Sequence, residues 1–168
     1  PAGFRGWSGS EREAVTISAD AASTTPGYVP GPIPAGPWTV ELGVGLVADE
    51  TLTFWSVTIS VLETPVTEFV PPVHPATVLG GMGWYAGDLH SHTVHSDGSP
   101  TVAELFAAAH DRGLDFLAVS DHNTFAGHHE LPDLQEQYDD LLLMRGVEIT
   151  TYRGHANAFG ISGYLDYH

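Results

Sequence analysis

Trp84-Tyr85-Ala86-Gly87-Asp88-Leu89-His90-Ser91-His92 is the stretch on which the reading of the fold turns. Residues 84–90 read as a short strand. A strand sends residues i and i+2 to the same side, so the imidazoles of His90 and His92 leave its end together. Beyond them Ser99-Pro100 opens a helix, with a cap residue followed by proline at the first helical position. Ala103, Phe106, Ala107 and His110 share a face of that helix, and Gly113 stops it. Residues 115–120 read as a short apolar strand, 127–138 as a polar helix, 141–149 as a third strand and 156–161 as a fourth. Strands and helices alternating at this spacing predict βαβ units around a parallel sheet.

The remaining donors fall at strand ends. Asp97 lies on a short loop after His92, Asp121-His122 ends the second strand, Glu148 ends the third and His155 begins the next. Parallel α/β folds carry their active sites at the C-terminal ends of their strands. The chain has no Cys, so any metal must be held by imidazole and carboxylate, the ligand set of hydrolytic Zn, Mn or Fe sites. A carboxylate such as Glu148 can bridge two ions. One His-x-His arises by chance; joined by Asp97, His122, Glu148 and His155, it predicts a metal site. His95 is either a loop histidine near that site or a solvated one. His128-His129 reads as a polar surface pair, and His74, His110 and His168 receive no role. Glu11, Glu13, Asp139 and Asp140 are expected on solvated faces, and Trp7, Trp38, Trp55 and Trp84 in cores.

Upstream the period is that of strands. Residues 14–18, 38–42 and 53–61 alternate apolar and polar positions, which predicts sandwich strands. The proline-rich stretch 25–37 reads as a long loop or an edge, and 48–51 as a hairpin turn. A Pro/Gly-rich linker then separates two parts, giving a β-rich accessory domain over 1–63, a linker over 64–83 and a second domain over 84–168.

Composition narrows the partners. With 21 acidic residues, five Arg, no Lys and a formal charge of -16, the chain offers little cationic surface to phosphate backbones, so no nucleic-acid partner is expected. No apolar run approaches the roughly 18 residues of a membrane span. The chain begins at Pro1 without a basic and apolar leader, as a processed or trimmed product would. An extracellular or periplasmic setting is favoured over the cytoplasm.

Asp88-Leu89-His90-Ser91-His92-Thr93 with Ser96-Asp97-Gly98, then Ser120-Asp121-His122-Asn123, then Gly146-Val147-Glu148, resembles the PHP (polymerase and histidinol phosphatase) superfamily of metal-dependent hydrolases. Gly154-His155-Ala156-Asn157 is similar to its branch of carbamate and ester hydrolases, the CehA/McbA family. The resemblance covers about residues 84–161. It implies that this part is the first part of a distorted parallel (β/α) PHP-type barrel, so the chain as a whole is expected to be α/β, with the N-terminal β-sandwich-like domain read from the alternation above preceding it. It also implies that His90, His92 and Glu148 hold one divalent ion (Zn, Mn or Fe), that Asp97 and His122 help hold another, and that the complete enzyme carries two or three. Many PHP proteins have a ligand His in an H-x-x-G context where this chain has Asn157 before Gly160, so His155 is either a metal ligand, a substrate contact or a replacement for the usual ligand.

The reaction implied is cleavage of a small-molecule ester by water activated on the metal, with Asp121 and His155 as supporting groups and no protein nucleophile. Phosphate esters compete with carboxyl or carbamate esters as substrates, because a phosphate monoester usually calls for a cationic clamp. Arg153 lies beside His155, whereas Arg112 near a helix C-terminus is explained by the dipole. A rival reading is a noncatalytic metal- or carbohydrate-binding module. An eight-unit barrel takes about 250 residues, and residues 84–168 supply four candidate strands. Another chain or segment is therefore expected to complete the barrel, and the truncated chain to be weak or inactive as a catalyst.

Overall fold

The computed structural model describes residues 3–9, 12–45, 54–62 and 80–166. Its central feature is a four-stranded sheet in the order β1 (Gly87–Ser91), β2 (Phe116–Val119), β3 (Leu142–Thr151) and β4 (Gly154–Phe159). The first three strands are parallel, as expected. The fourth is not: Tyr152-Arg153 is a tight turn, and β4 returns antiparallel to β3, with His155 opposite Thr150 and Asn157 opposite Glu148. A connection of that length cannot carry a chain back to the same end of the sheet, which a parallel pairing requires.

Helix α1 (Val102–Asp111) crosses from β1 to β2. Thr101, rather than Ser99, is its cap, and a reciprocal capping box links it to Glu104. Gly113, at φ 68°, ends the helix in a conformation glycine adopts without cost. The buried face is Val102, Phe106 and Ala109, while Ala103, Ala107 and His110 are exposed. Alanines lie on every side of this helix and do not choose among them; the larger apolar areas of Val102 and Phe106 do. Residues 126–138 divide into a 3-10 turn (Ala126–His129) and the short helix α2 (Leu131–Gln135), because Pro132 has no N–H to continue one helix through the junction.

The core lies between these helices and the sheet. Phe106, Leu131, Leu141 and Leu143 are buried completely, joined by Leu117 and Val119 at alternate positions of β2. Gln135 closes the entry to β3: its Nε2 donates to the carbonyls of Tyr138 and Leu141, and its Oε1 accepts from Leu143 N. A buried amide so paired escapes the desolvation penalty of an unmatched polar group.

Among the described residues of 3–62 there is no strand, only a 3-10 turn (Ala21–Ser23) and one antiparallel bridge between Gly6 and Tyr28. The sandwich expected from the alternation at 14–18, 38–42 and 53–61 is not formed there. Trp38, Leu42, Trp55 and Ile59 line one shallow groove, and Trp55 and Ile59 are each 72% exposed. Alternation records which side of a segment is apolar, and does not supply the partner whose hydrogen bonds make a strand. The turn expected at 48–51 and most of the linker lie outside the described residues.

Described residues before position 32 pack against the second half of the chain. Arg12 donates to Val94 O, and Phe4 stacks on Tyr164 with 4.2 Å between ring centroids. Gly27 donates its N–H to His95 Nδ1 at 3.0 Å, and its carbonyl accepts from Thr124 Oγ1 at 2.8 Å. The glycine sits at φ 92°, and a Cβ there would lie 2.7 Å from the carbonyl oxygens of both His95 and Trp7.

Candidate metal centre

The site begins where β1 and β2 end. Ser91 Oγ donates to Ala118 O at 2.6 Å and pins β1 to β2, leaving His90 and His92 to project together. Glu148, on β3 beside them, has a side chain only 5% exposed. His90 Nε2 stands 2.9 Å and His92 Nε2 2.8 Å from Glu148 Oε2, and His155 Nδ1 stands 2.8 Å from Oε1. His122 Nδ1 is 3.3 Å from Oε2. Asp97 closes the far side, with Oδ1 2.7 Å from His92 Nδ1 and Oδ2 3.5 Å from His122 Nε2.

These six side chains form three overlapping groups: His90, His92 and Glu148; His92, Asp97 and His122; His122, Glu148 and His155. Donors about 2.0–2.1 Å from one tetrahedral ion lie roughly 3.3 Å apart; the separations here run from 2.7 to 3.5 Å, so a small outward shift of the closer pairs would admit an ion. His92 Nε2 is buried without a hydrogen-bond partner although Glu148 Oε2 is 2.8 Å away. Two donors at that separation without hydrogen-bond alignment are what a shared cation would organise, so the donor set fits a divalent metal.

The two carboxylates of the cluster are held ionised by their neighbours. Burial works to raise the carboxyl pKa of Glu148, but the bonds from His90 and His155 and the nearby His122 outweigh it and hold the pKa below its ordinary value. Asp97 behaves alike: burial opposes ionisation, and the His92 hydrogen bond with the charges of His122 and His92 lowers its pKa. Both groups stay anionic, as ligands must.

Asp121 does not join the cluster. It is buried, with Oδ1 accepting from Thr93 N at 2.8 Å and Ser96 Oγ at 2.6 Å, and Oδ2 from Thr93 Oγ1 at 2.7 Å. It fixes the loop between His92 and Asp97. Asn123 does the same for β3: at φ 52°, a conformation Asn tolerates, its side chain exchanges two hydrogen bonds with the Thr150 backbone, and its N–H reaches Glu148 O at 3.0 Å. Thr150 Oγ1 in turn bonds His122 Nδ1. Sequence reasoning missed Thr93, Ser96, Asn123 and Thr150 in these supporting roles. The run Asp121-His122-Asn123 was the available signal, since it sets a ligand between two short polar side chains that favour turns.

Other residues stand apart from their expected places. His95 is buried, its Nδ1 accepting from Gly27 and its Nε2 donating to Glu130 at 2.8 Å, so it is not solvated and its ring is engaged outside the donor groups. His128 is buried and donates from Nε2 to Gly146 O at 2.8 Å, so the expected surface pair is broken up. His110 lies 3.5 Å from Asp140 Oδ1. Trp38, Trp55 and Trp84 are exposed rather than in a core; Trp7 is half-buried, its ring 6.4 Å from that of His122. Arg153 is exposed in the β3–β4 turn, and Arg112 Nη1 bonds Ala108 O at the helix end, as its position predicted. Asn157 Oδ1 is buried without a partner.

The PHP domain family matches residues 88–163. Over 71 residues the chain is 35% identical to an uncharacterized protein of Methanocaldococcus jannaschii, covering 38% of this chain and 33% of that one. It is 39% identical over 64 residues to a 5'-3' exoribonuclease of Haemophilus influenzae, 38% of this chain and 23% of the relative. It is 35% identical over 65 residues to a phosphoribosyl 1,2-cyclic phosphate 1,2-diphosphodiesterase of Eggerthella lenta, 39% of this chain and 24% of the relative. The chain thus spans about a quarter to a third of the length of these curated relatives. The matched segment contains all six of the clustered donors, so the likeness of this chain to the PHP domain family runs through residues 88–163 and takes in the whole cluster.

Proposed function

We propose that this chain carries the metal-binding half of a phosphoester hydrolase. The observation that carries the reading is the convergence of His90, His92, Asp97, His122, Glu148 and His155 on three overlapping ligand groups. When bound there, a divalent ion supplies Lewis-acid polarisation of the ester oxygen and a water acidified to near neutrality. The chain's own residues do the rest. Glu148, with both oxygens engaged, links the groups; Asp97 and His122 set the second position; Asp121 acts through Thr93 and Ser96 to hold the loop, without touching substrate. Zn, Mn and Fe all suit imidazole with carboxylate.

Two relatives are named as a cyclic phosphate diphosphodiesterase and an exoribonuclease, which supports phosphoester chemistry. The second name also means that the acidic balance of this chain does not exclude a nucleic-acid substrate. A carboxyl or carbamate ester, as in the CehA/McbA branch, is favoured by one observation: the chain has no Lys, and Arg153 beside His155 is exposed on a turn. The division at residues 64–83, with an accessory part before it, belongs to the same proposal, as does completion of the barrel by another segment or chain.

Metal-loaded protein is assayed with bis(4-nitrophenyl) phosphate, 4-nitrophenyl phosphate and 4-nitrophenyl acetate, before and after chelation. Slow turnover of a phosphate ester that chelation abolishes and Mn or Zn restores is expected, since this chain supplies only part of the barrel. Chelator-resistant activity, or cleavage of the acetate alone, overturns the phosphoester reading.

A further inference from the structure

We infer that residues 3–9 and 24–31, which precede the PHP-like segment, form one wall of the substrate site, and that Trp7 is its contact for a planar ring carried next to the metal-bound ester. The inference rests on the hydrolase reading above.

Trp7 is brought to the ligands by a short strap. Gly6 bridges Tyr28, Trp7 N donates to Gly27 O at 3.2 Å, and Ser8 Oγ shares a hydrogen bond with Tyr28 Oη at 2.9 Å. Gly27 then fastens the strap to two loops. His95, which its N–H reaches, belongs to the loop that bears Asp97; Thr124, which reaches its carbonyl, is two residues beyond His122. The segment is thus registered against the same loops that present the metal donors.

The Trp7 indole stands at 6.4 Å from the His122 ring, centroid to centroid, tilted by 56°. That is inside the range over which aromatic rings attract, and too far for one ring to lie flat on the other. The indole is half-buried and so keeps an open surface beside a ligand shared by two of the three donor groups. A core tryptophan would be enclosed; a surface one would have no reason for such a seat. A ligand whose anionic head meets the donors at His122 extends its next substituent past this indole. A flat apolar ring gains there what a methyl group does not. An offset or edge-on aromatic contact corresponds to about a three- to tenfold gain in affinity.

The test is calorimetric binding of phenylphosphonate and of methylphosphonate to the Mn-loaded protein, for wild type, Trp7→Ala and Trp7→Phe. Wild type is expected to prefer the phenyl compound by about three- to tenfold. Trp7→Ala should bind the two alike while keeping the wild-type affinity for methylphosphonate and for Mn, and Trp7→Phe should retain most of the preference. Equal binding of the two phosphonates by wild type, or an undiminished preference in Trp7→Ala, overturns the inference and leaves the hydrolase reading standing. Failure of wild type to bind either phosphonate overturns the hydrolase reading and the inference with it. Loss of methylphosphonate and Mn binding in both variants assigns Trp7 to packing alone and also overturns it.

Discussion

Asp121 and Thr93 are joined twice, Oδ1 taking the Thr93 N–H at 2.8 Å and Oδ2 taking its hydroxyl at 2.7 Å. This buried pair sets the path of the chain between His92 and Asp97 and so governs two ligands without being one. Asp121→Asn is therefore expected to weaken metal binding by about 10–100-fold, as loss of outer-shell support does. Chelator competition measures it, with the exposed Asp133→Asn as the unaffected control.

Metal stoichiometry should divide along the donor groups. Glu148 belongs to two of them and Asp97 to one. Elemental analysis after dialysis should show that Glu148→Gln loses more metal than Asp97→Asn. Equal losses would mean that the two carboxylates serve one ion.

Stability of the metal-free protein should fall on acidification. The folded-state pKa of Glu148 lies below its ordinary value of 4.5, so the unfolded chain takes up the proton first as pH drops. The stabilisation is complete above about pH 4.5 and is lost as pH falls through the depressed value. Urea midpoints at pH 6 and pH 3.5 should differ more in wild type than in Glu148→Gln.

Gly27→Ala places a Cβ against two carbonyl oxygens at a positive φ. A cost of about 1–3 kcal/mol is expected from the strained backbone, or release of the strap. Proteolysis should then cut within residues 3–31 while the sheet stays protected.

Phe106→Ala removes a completely buried ring between α1 and β2. Denaturant unfolding should register a loss of about 3–5 kcal/mol.

The clustering of these donors was legible because their positions depend on short-range rules. His90 and His92 are two apart at the end of β1, and His122, just beyond β2, bridges Glu148 within the neighbouring β3, which runs on to Thr151 instead of ending at Glu148. The burial of Asp121, His95 and His128 was not legible, since it depends on which loops meet, and Gly27 approaches His95 from a distant part of the chain. The direction of β4 turned on the length of one tight turn. Residues 38–42 and 55–61 show why periodicity alone falls short: the alternation is present, and among the described residues no ladder accompanies it. The helix face was misjudged because alanines outnumber the larger side chains that decide it.

The strap has a consequence for the order in which the protein assembles. Thr93 and Asp121 are 28 positions apart, whereas Gly27 and Thr124 are separated by 97. Closing the longer loop costs about 1 kcal/mol more in chain entropy, and its seat is a few hydrogen bonds and rings rather than a shared core. The sheet and its donors therefore mature first, the Trp7 wall arrives last, and on unfolding it leaves first. Hydrogen exchange at the Gly27 amide reads that departure directly, as an opening with its own rate beneath the slower exchange of β2.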